Sequence, residues 1–223
     1  MLKGLILKDF YGIRFQIICG FLLMCFSNIL SFFSLNAKNN LTPEDLTVLV
    51  FVYGMVNFLT IAVCSSFVLN TGSYDERSGW SKMQFTMPVS PGQIVGAKMA
   101  VIALVPLALT VISIVFNLIA VILSGIPVEP MITMPICICL IQTTAMYLAY
   151  MLGLKYGAKR TSFLYLFILM AEMAAVILII KLCLDNGSFA ALRIAGYGAL
   201  PAIAAGTAVL CCRHSKRVIC TDK

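Results

Sequence analysis

Six long apolar runs, separated by short polar segments, dominate the hydropathy pattern of this chain. They cover Phe15–Leu35, Val48–Asn70, Ala97–Leu123, Met131–Gly153, Phe163–Leu184 and Leu192–Cys212. A helix of about 20 apolar residues crosses a hydrocarbon core about 30 Å thick. The runs do not alternate apolar with polar residues, as the strands of a membrane barrel would. The pattern therefore predicts an all-α polytopic membrane protein with six transmembrane helices in a single domain, residues 1–223.

Polar motifs mark several predicted helix ends. Thr42-Pro43-Glu44-Asp45 offers a hydroxyl cap, a proline at the first helical position and an acid three residues after the cap. Ser90-Pro91-Gly92-Gln93 has the same arrangement before the third run, with the amide of Gln93 in place of the acid. Gly125 with Pro127 is expected to close the third helix, and Asn186-Gly187 the fifth.

Composition agrees with a lipid environment. Hydrophobic residues make up 61% of the 223 residues, charged residues only 11%, and the mean hydropathy is +1.00. Soluble domains carry about 25% charged residues. The amino terminus is interrupted by Lys3, Lys8, Asp9 and Arg14 and lacks a small-residue cleavage site. It is therefore expected to remain in the mature protein and not to act as a cleaved signal peptide.

The distribution of basic residues predicts the orientation. Of the 16 Lys and Arg residues, 13 fall on one side of the predicted spans. The other side has Lys38, Lys181 and Arg193. Because basic loops stay in the cytoplasm, both termini and the segments 73–99 and 154–162 are expected there. The net charge of +7 is spread over four segments, so it indicates topology and no nucleic-acid partner is expected.

The nine cysteines do not indicate a metal or disulfide site. Cys137 and Cys139 are two residues apart, and such side chains point away from each other on a helix. Buried free cysteines usually act as small apolar side chains. Since no cluster of His, Asp and Cys is indicated either, the chain is not expected to be an enzyme by itself.

The first 14 residues are expected to form an amphipathic helix at the membrane interface. Its apolar residues recur at helical spacing and are Leu2, Leu5, Ile6, Phe10 and Ile13. Basic side chains at Lys3, Lys8 and Arg14 could contact lipid phosphates.

The longest polar break, residues 73–99, lies between the second and third spans. Tyr74–Phe85 is predicted to form a short helix along the membrane, with Trp80 at headgroup level. Pro88 disfavours helix at Met87, and a new helix is expected from Ser90.

Several of these motifs resemble the membrane subunits of type-2 ATP-binding-cassette exporters, in particular the short bacterial kind with six spans and no ATPase domain. The resemblance lies in Met1-Leu2-Lys3-Gly4-Leu5-Ile6-Leu7-Lys8-Asp9-Phe10, in Tyr74-Asp75-Glu76-Arg77-Ser78-Gly79-Trp80, in Met87-Pro88-Val89-Ser90, and in Ile94, Val95 and Lys98. The family often has Leu in place of Met87 and a basic residue in place of Pro91.

The resemblance implies a permease in the bacterial cytoplasmic membrane that exports a peptide or other amphipathic substrate. In such exporters the loop between the second and third spans docks on a separate ATPase subunit, which binds ATP and Mg. The corresponding coupling residues here are Tyr74, Asp75, Glu76, Arg77, Gly79, Trp80, Pro88 and Ser90. This chain has no G-x-x-x-x-G-K-[ST] loop and is expected to bind no cofactor. A second permease copy or a paralogue is expected to complete the assembly.

Polar groups inside the spans leave alternatives open. Glu172 is a contact for a cationic substrate, a proton relay, or a neutral acid hydrogen-bonded to a neighbouring helix, since desolvation favours the neutral form. A proton-coupled carrier that uses Glu172 and a non-transporting scaffold or sensor are the alternative functions. The polar residues Asn28, Asn57, Asn117 and Gln142 could join helices by hydrogen bonds or line a path, and helix packing is favoured.

Two further patterns concern helix packing. The small residues Gly198, Ala202 and Gly206 recur every four positions, which favours close packing within the chain first and a dimer seam second. Pro106 and Pro201 are expected to kink their helices.

Overall fold

The computed structural model describes residues 2–36, 43–79, 89–124, 128–185 and 195–221. Over these residues the chain forms α1 (Leu2–Gly12), α2 (Arg14–Asn36), α3 (Pro43–Arg77), α4 (Pro91–Ser124), α5 (Val128–Tyr156), α6 (Ala158–Asp185), a π-helical turn (Ala195–Ala199) and α7 (Leu200–Thr221). The described residues contain helices and no strand, so the all-α prediction is confirmed.

Two of these helices are long and apolar enough to cross a membrane: Pro91–Leu123 within α4 and Met131–Tyr156 within α5. A third span results if the bent pair Lys3–Gly12 and Arg14–Leu30 is counted as one. Shorter apolar stretches lie at Gly54–Leu69 in α3 and Phe163–Ala174 in α6. The helical architecture is thus established over the described residues, and the number of six spans stays a prediction.

The core lies around α5, which packs against α3, α4, α6 and α7. In the most apolar stretch of α5, 67% of the residues are buried. The corresponding share for the most apolar stretch of α4 is 39%. Met24, Phe58, Ile138 and Met146 are among the completely buried side chains. The faces directed away from this core carry exposed apolar side chains, as expected of helices whose solvent is lipid.

The cap before α4 forms as the sequence predicts. The Gln93 backbone N–H donates to Ser90 Oγ at 3.3 Å, and the Ser90 N–H donates to Gln93 Oε1 at 3.2 Å. This reciprocal pair is a capping box, and α4 begins at Pro91. The described part of α3 begins at Pro43, and the described parts of α4 and α6 end at Ser124 and Asp185, so the other predicted helix ends stay predictions. The remaining residues of those motifs, Thr42, Gly125, Pro127, Asn186 and Gly187, lie outside the described residues.

The prediction of a separate short helix from Tyr74 is wrong. Tyr74 to Arg77 form the last turn of α3, which continues without a break from Pro43. Gly72 interrupts a helix only weakly, at about 1 kcal/mol relative to Ala. The helix ends beyond Arg77, where Gly79 adopts a left-handed φ of 71° that suits glycine. The rest of the predicted helix, with Trp80 and Phe85, lies outside the described residues.

The carboxyl-terminal helix extends beyond the predicted span. α7 continues to Thr221, so the basic residues that follow Cys212 are helical. The π-helical turn ends at Ala199, two residues before Pro201. Proline lacks an N–H and its ring clashes with the carbonyl four residues earlier, so a wider turn relieves that clash. Pro106 lies inside α4, which continues past it.

The small-residue stripe on this last segment does not pack within the chain. Gly198, Ala202 and Gly206 are exposed, and the described residues place no atom within 4 Å of a Cβ built on either glycine. Cys211 and Ser215 are the buried residues of α7. The prediction that the stripe packs against another helix of the same chain is therefore wrong, because another face of α7 packs against α5.

Candidate functional site

A group of four charged side chains joins the polar ends of three helices. The charge cluster consists of Lys8 and Asp9 on α1, Asp75 in the last turn of α3, and Lys98 near the start of α4. Lys98 Nζ lies 2.9 Å from Asp9 Oδ1 and 2.8 Å from Asp75 Oδ2. Lys8 Nζ lies 3.3 Å from Asp9 Oδ1 and also contacts Asp75 Oδ1. Lys98 therefore bridges two carboxylates from different helices.

The cluster is shielded from solvent. The side chains of Asp9, Asp75 and Lys98 are 4%, 12% and 15% exposed, and Lys8 is 33% exposed. Buried charges are tolerated only when they are paired with good geometry. Among the described side chains two positive and two negative charges balance here, so loss of any inner member leaves a buried charge without its full complement. The pairing thus fixes α1, α3 and α4 relative to one another.

A sharp bend brings α1 into this position. The axes of Lys3–Gly12 and Arg14–Leu30 differ by 65°. Ile13 lies at the bend and is 1% exposed, while Ile6 and Phe10 pack against the hydrophobic core. Asp9 shares this inward face, three residues after Ile6 and four before Ile13. As a result, α1 packs against α4 with its acid directed at Lys98.

The outer surface of α1 carries Leu7 and Tyr11, which are exposed. Arg14 lies over the Tyr11 ring, 4.1 Å from its centroid. Lys8, expected to contact lipid phosphates, is instead paired with the two carboxylates of the cluster, because those buried acids require a counter-charge. Leu5 is half-buried, and the side chain of Leu2 lies outside the described part of the structure.

The polar end of α7 lies at the same end of the molecule. Lys216 of α7 lies against Gly92, with its Nζ 3.7 Å from the position a Gly92 Cβ would take. Gly92 belongs to the first turn of α4, two residues after the capping Ser90. The carboxyl-terminal ends of α1, α3 and α7 and the amino-terminal end of α4 therefore form one polar surface around the charge cluster.

A second polar network lies within the apolar core. Asn57 Oδ1 accepts a hydrogen bond from Ser113 Oγ at 2.9 Å and a longer one from Asn28 Nδ2 at 3.5 Å. The Asn117 Nδ2 group donates to the Met131 carbonyl oxygen at 2.6 Å. These bonds link α2, α3, α4 and α5. The predicted role of these residues in joining helices is confirmed.

Tyr165 joins three helices through its hydroxyl. It receives a hydrogen bond from Gln142 Nε2 on α5 and donates to the Ala62 carbonyl oxygen on α3 at 3.1 Å. Tyr165 is 3% exposed. The predicted hydrogen bonding of Gln142 is confirmed, and α6 is thereby attached to the core.

Glu172 lies on α6, seven residues after Tyr165 and so on the same helix face. Its Oε2 atom is buried and has no hydrogen-bond partner among the described residues. The predicted bond to a neighbouring helix is not formed by this oxygen. The described residues also contain no group of three His, Cys, Asp or Glu side chains that could hold a metal ion.

Comparison with known proteins identifies the family. The sequence matches the model of the family described as ABC-2 family transporter protein over residues 4–215. The chain belongs to the ABC-2 transporter family. A comparison with curated proteins gives no match. The resemblance noted in the sequence is therefore confirmed, and this ABC-2 protein is a membrane permease component of an ABC transporter.

In this ABC-2 permease, the described coupling residues lie where α3 ends and just before α4 begins. Asp75 is held in the charge cluster, Gly79 is exposed after α3, and Ser90 is exposed where it caps α4. Tyr74, Glu76 and Arg77 belong to the last turn of α3, and their side chains lie outside the described part. Trp80 and Pro88 are likewise outside it.

The ABC-2 permease also contains two site residues that the sequence did not single out as such. Asp9 interrupts an apolar run and Lys98 belongs to a motif that resembles the family, but neither is among the predicted coupling residues. The signal for Asp9 was its place on the apolar face of α1, since an acid among Ile6, Phe10 and Ile13 needs a buried partner. Lys98 could not be assigned as that partner without the tertiary structure.

Proposed function

We propose that this chain is the permease subunit of an ATP-driven exporter and that the charge cluster transmits movement from a separate ATPase subunit to the membrane helices. The observation that carries the proposal is the bridge from Lys98 to Asp9 and Asp75. It ties the amino-terminal helix to both helices that flank the 73–99 segment. Membership of the ABC-2 family supports the permease role.

The charge cluster lies close along the chain to both ends of the segment that would contact the ATPase. The segment that would contact the ATPase begins in the last turn of α3, directly after Asp75, and ends at Ser90, eight residues before Lys98. A force on this segment reaches α3 and α4 through one or two helical turns. The cluster makes the two helix ends and α1 move together, and both long helices pack against the central α5.

The energy source is a partner ATPase that binds ATP and Mg, since this chain has no loop to hold nucleotide phosphates. A second permease copy or a paralogue would complete the path, in agreement with the exposed small-residue stripe on α7. The charge cluster would lie at the cytoplasmic face of a bacterial membrane, because most basic residues fall on that side. A peptide or another amphipathic molecule is the proposed substrate, on the strength of the resemblance.

Co-reconstitution of the permease with its ATPase in lipid vesicles tests the proposal. Two variants separate contact from transmission: Glu76→Ala with Arg77→Ala alters the predicted contact, and Asp9→Asn with Asp75→Asn and Lys98→Met neutralises the inner cluster. Both should retain assembly in the membrane and lose ATP-dependent transport. Lys155→Ala, at an exposed basic residue on α5, serves as the control.

Three outcomes have distinct meanings. Loss of transport in both variants, with normal transport in the control, supports the proposal. Wild-type transport in both variants contradicts it. Transport by the purified chain alone, driven by a proton gradient and abolished by Glu172→Gln, would instead favour the proton-coupled carrier.

A further inference from the structure

A cavity of about 420 Å³ lies between the carboxyl-terminal halves of α5 and α7, and its lining contains no residue of the charge cluster. Its apolar wall is formed by Leu148 and Met151 of α5 and Leu210 of α7. Its polar wall carries Arg213, His214 and Arg217 of α7. The described lining contains two guanidinium groups and an imidazole but no carboxylate.

The two kinds of lining are separated along the helix axis. Thr207 and Leu210 lie toward the apolar half of α7, and Arg213 and Arg217 follow one and two turns later. Arg213 and Arg217 are four residues apart and therefore share a helix face. From Thr207 to Arg217 the cavity extends about 15 Å along α7, at about 1.5 Å per residue. The basic side chains of the lining thus lie at one end of the cavity, and the apolar side chains lie at the other end.

The geometry points to a binding site for one anionic phospholipid, with its phosphate at Arg213, His214 and Arg217 and an acyl chain against Leu148, Met151 and Leu210. Guanidinium groups are suited to phosphate because their planar N–H donors match its oxygens. Basic cavities between membrane helices on the cytoplasmic side bind anionic headgroups in the same manner. The opposite order, with arginines deep and leucines at the polar end, would not fit a lipid.

The site differs from the proposed coupling device in residues and position. The ion pairs of the charge cluster connect α1, α3 and α4, whereas the cavity lies between α5 and α7. The lipid site therefore goes beyond the transport proposal and can be tested without an ATPase or a transported substrate.

Lipid binding to the purified full chain, counted by native mass spectrometry, tests the site. The probes are phosphatidylglycerol, phosphatidylcholine with the same acyl chains, and glycerol phosphate, which has the phosphate without the chains. Arg213→Gln with Arg217→Gln should weaken phosphatidylglycerol binding about 25-fold, from roughly fivefold for each basic side chain facing an anionic lipid. Phosphatidylcholine binding should change less than threefold.

Two further variants make the test specific. Leu148→Trp fills the apolar part of the cavity at a partly exposed position and should also weaken phosphatidylglycerol binding, at least fivefold. Lys216→Gln removes a charge from the same helix but outside the cavity lining and should leave binding within twofold of wild type. Unchanged elution volume and helical circular dichroism check that each variant remains folded.

The inference is overturned by any of three results. Phosphatidylglycerol binding could be unchanged in both the double arginine variant and Leu148→Trp. Lys216→Gln could weaken it as much as the double variant does, which would indicate a diffuse basic surface. Glycerol phosphate could compete as strongly as the lipid, in which case the occupant is a free phosphate compound and not a phospholipid.

Discussion

Replacing Lys98 by Met should be among the most damaging single changes at the polar end of the molecule. It removes the ammonium group that lies 2.9 Å from Asp9 Oδ1 and 2.8 Å from Asp75 Oδ2. The side chains of these acids are only 4% and 12% exposed, so water cannot replace the lost partner. Breaking a buried ion pair by removing one partner costs about 3–5 kcal/mol. Because Lys8 still contacts both acids, we expect the lower end, about 3 kcal/mol.

The matched comparison is Lys8→Met, which removes the more exposed lysine of the same cluster. At 33% exposure Lys8 is partly solvated, so its removal should cost about 1 kcal/mol or less. For a chain of this length, 1 kcal/mol corresponds to a shift of about 2–4 °C in Tm. Lys98→Met should therefore lower Tm by about 6–12 °C and Lys8→Met by about 4 °C or less, on the same scale.

A thiol-reactive dye measures this unfolding in detergent as the reaction of the buried Cys64, Cys137, Cys139 and Cys211, above the initial reaction of the exposed Cys19 and the half-buried Cys25 and Cys212. A triple variant, Asp9→Asn with Asp75→Asn and Lys98→Met, gives the decisive control. Without buried unpaired charges it should recover at least half of the Tm lost in Lys98→Met. A Lys98→Met protein as stable as Lys8→Met, or a triple variant less stable than Lys98→Met, would refute the assignment of a buried cluster.

Three further predictions concern other parts of the chain. Ser90→Ala removes one side of the capping box and should cost about 1 kcal/mol in the same thermal assay, whereas Ser90→Asp should cost less; equal loss would contradict the cap. Tyr165→Phe leaves the buried Gln142 amide and the Ala62 carbonyl without their shared partner and should cost about 1–2 kcal/mol; adding Gln142→Met should return part of this loss, and strictly additive effects would exclude the network. Glu172→Gln should leave ATP-dependent transport unchanged between pH 6 and 8, because the carboxyl group is expected to carry no transferred proton. A Glu172→Gln variant whose transport rate no longer depends on pH would show that the carboxyl group does transfer a proton.

The local features of the fold could be read from the sequence. Apolar runs predict helices because a helix in lipid satisfies its own backbone hydrogen bonds, and this needs no knowledge of neighbours. The cap at Ser90 and Gln93 was equally local, since both hydrogen bonds lie within four residues. The bonding of Asn57 followed from the cost of an unpaired amide in lipid, although its partners Ser113 and Asn28 did not.

The features that the sequence did not predict depend on long-range packing. Asp9 and Lys98 are 89 residues apart, and only the bend at Ile13 brings them together. Gly198, Ala202 and Gly206 had the spacing of a packing face, yet whether that face turns inward depends on which side of α7 meets α5. The prediction of a separate helix from Tyr74 was wrong because α3 continues to Arg77, and the positive φ of Gly79 lies where that helix ends.

The most direct measurement is photo-crosslinking from position 78 in cells that produce the full chain. Ser78 is exposed immediately after α3, at the start of the segment proposed to meet the ATPase. A photoreactive amino acid there should crosslink to a polypeptide that contains a G-x-x-x-x-G-K-[ST] loop, and one at the apolar, exposed Phe26 of α2 should not. Crosslinks from position 78 to lipid alone, or to extracytoplasmic proteins, would contradict the proposed coupling to a separate ATPase.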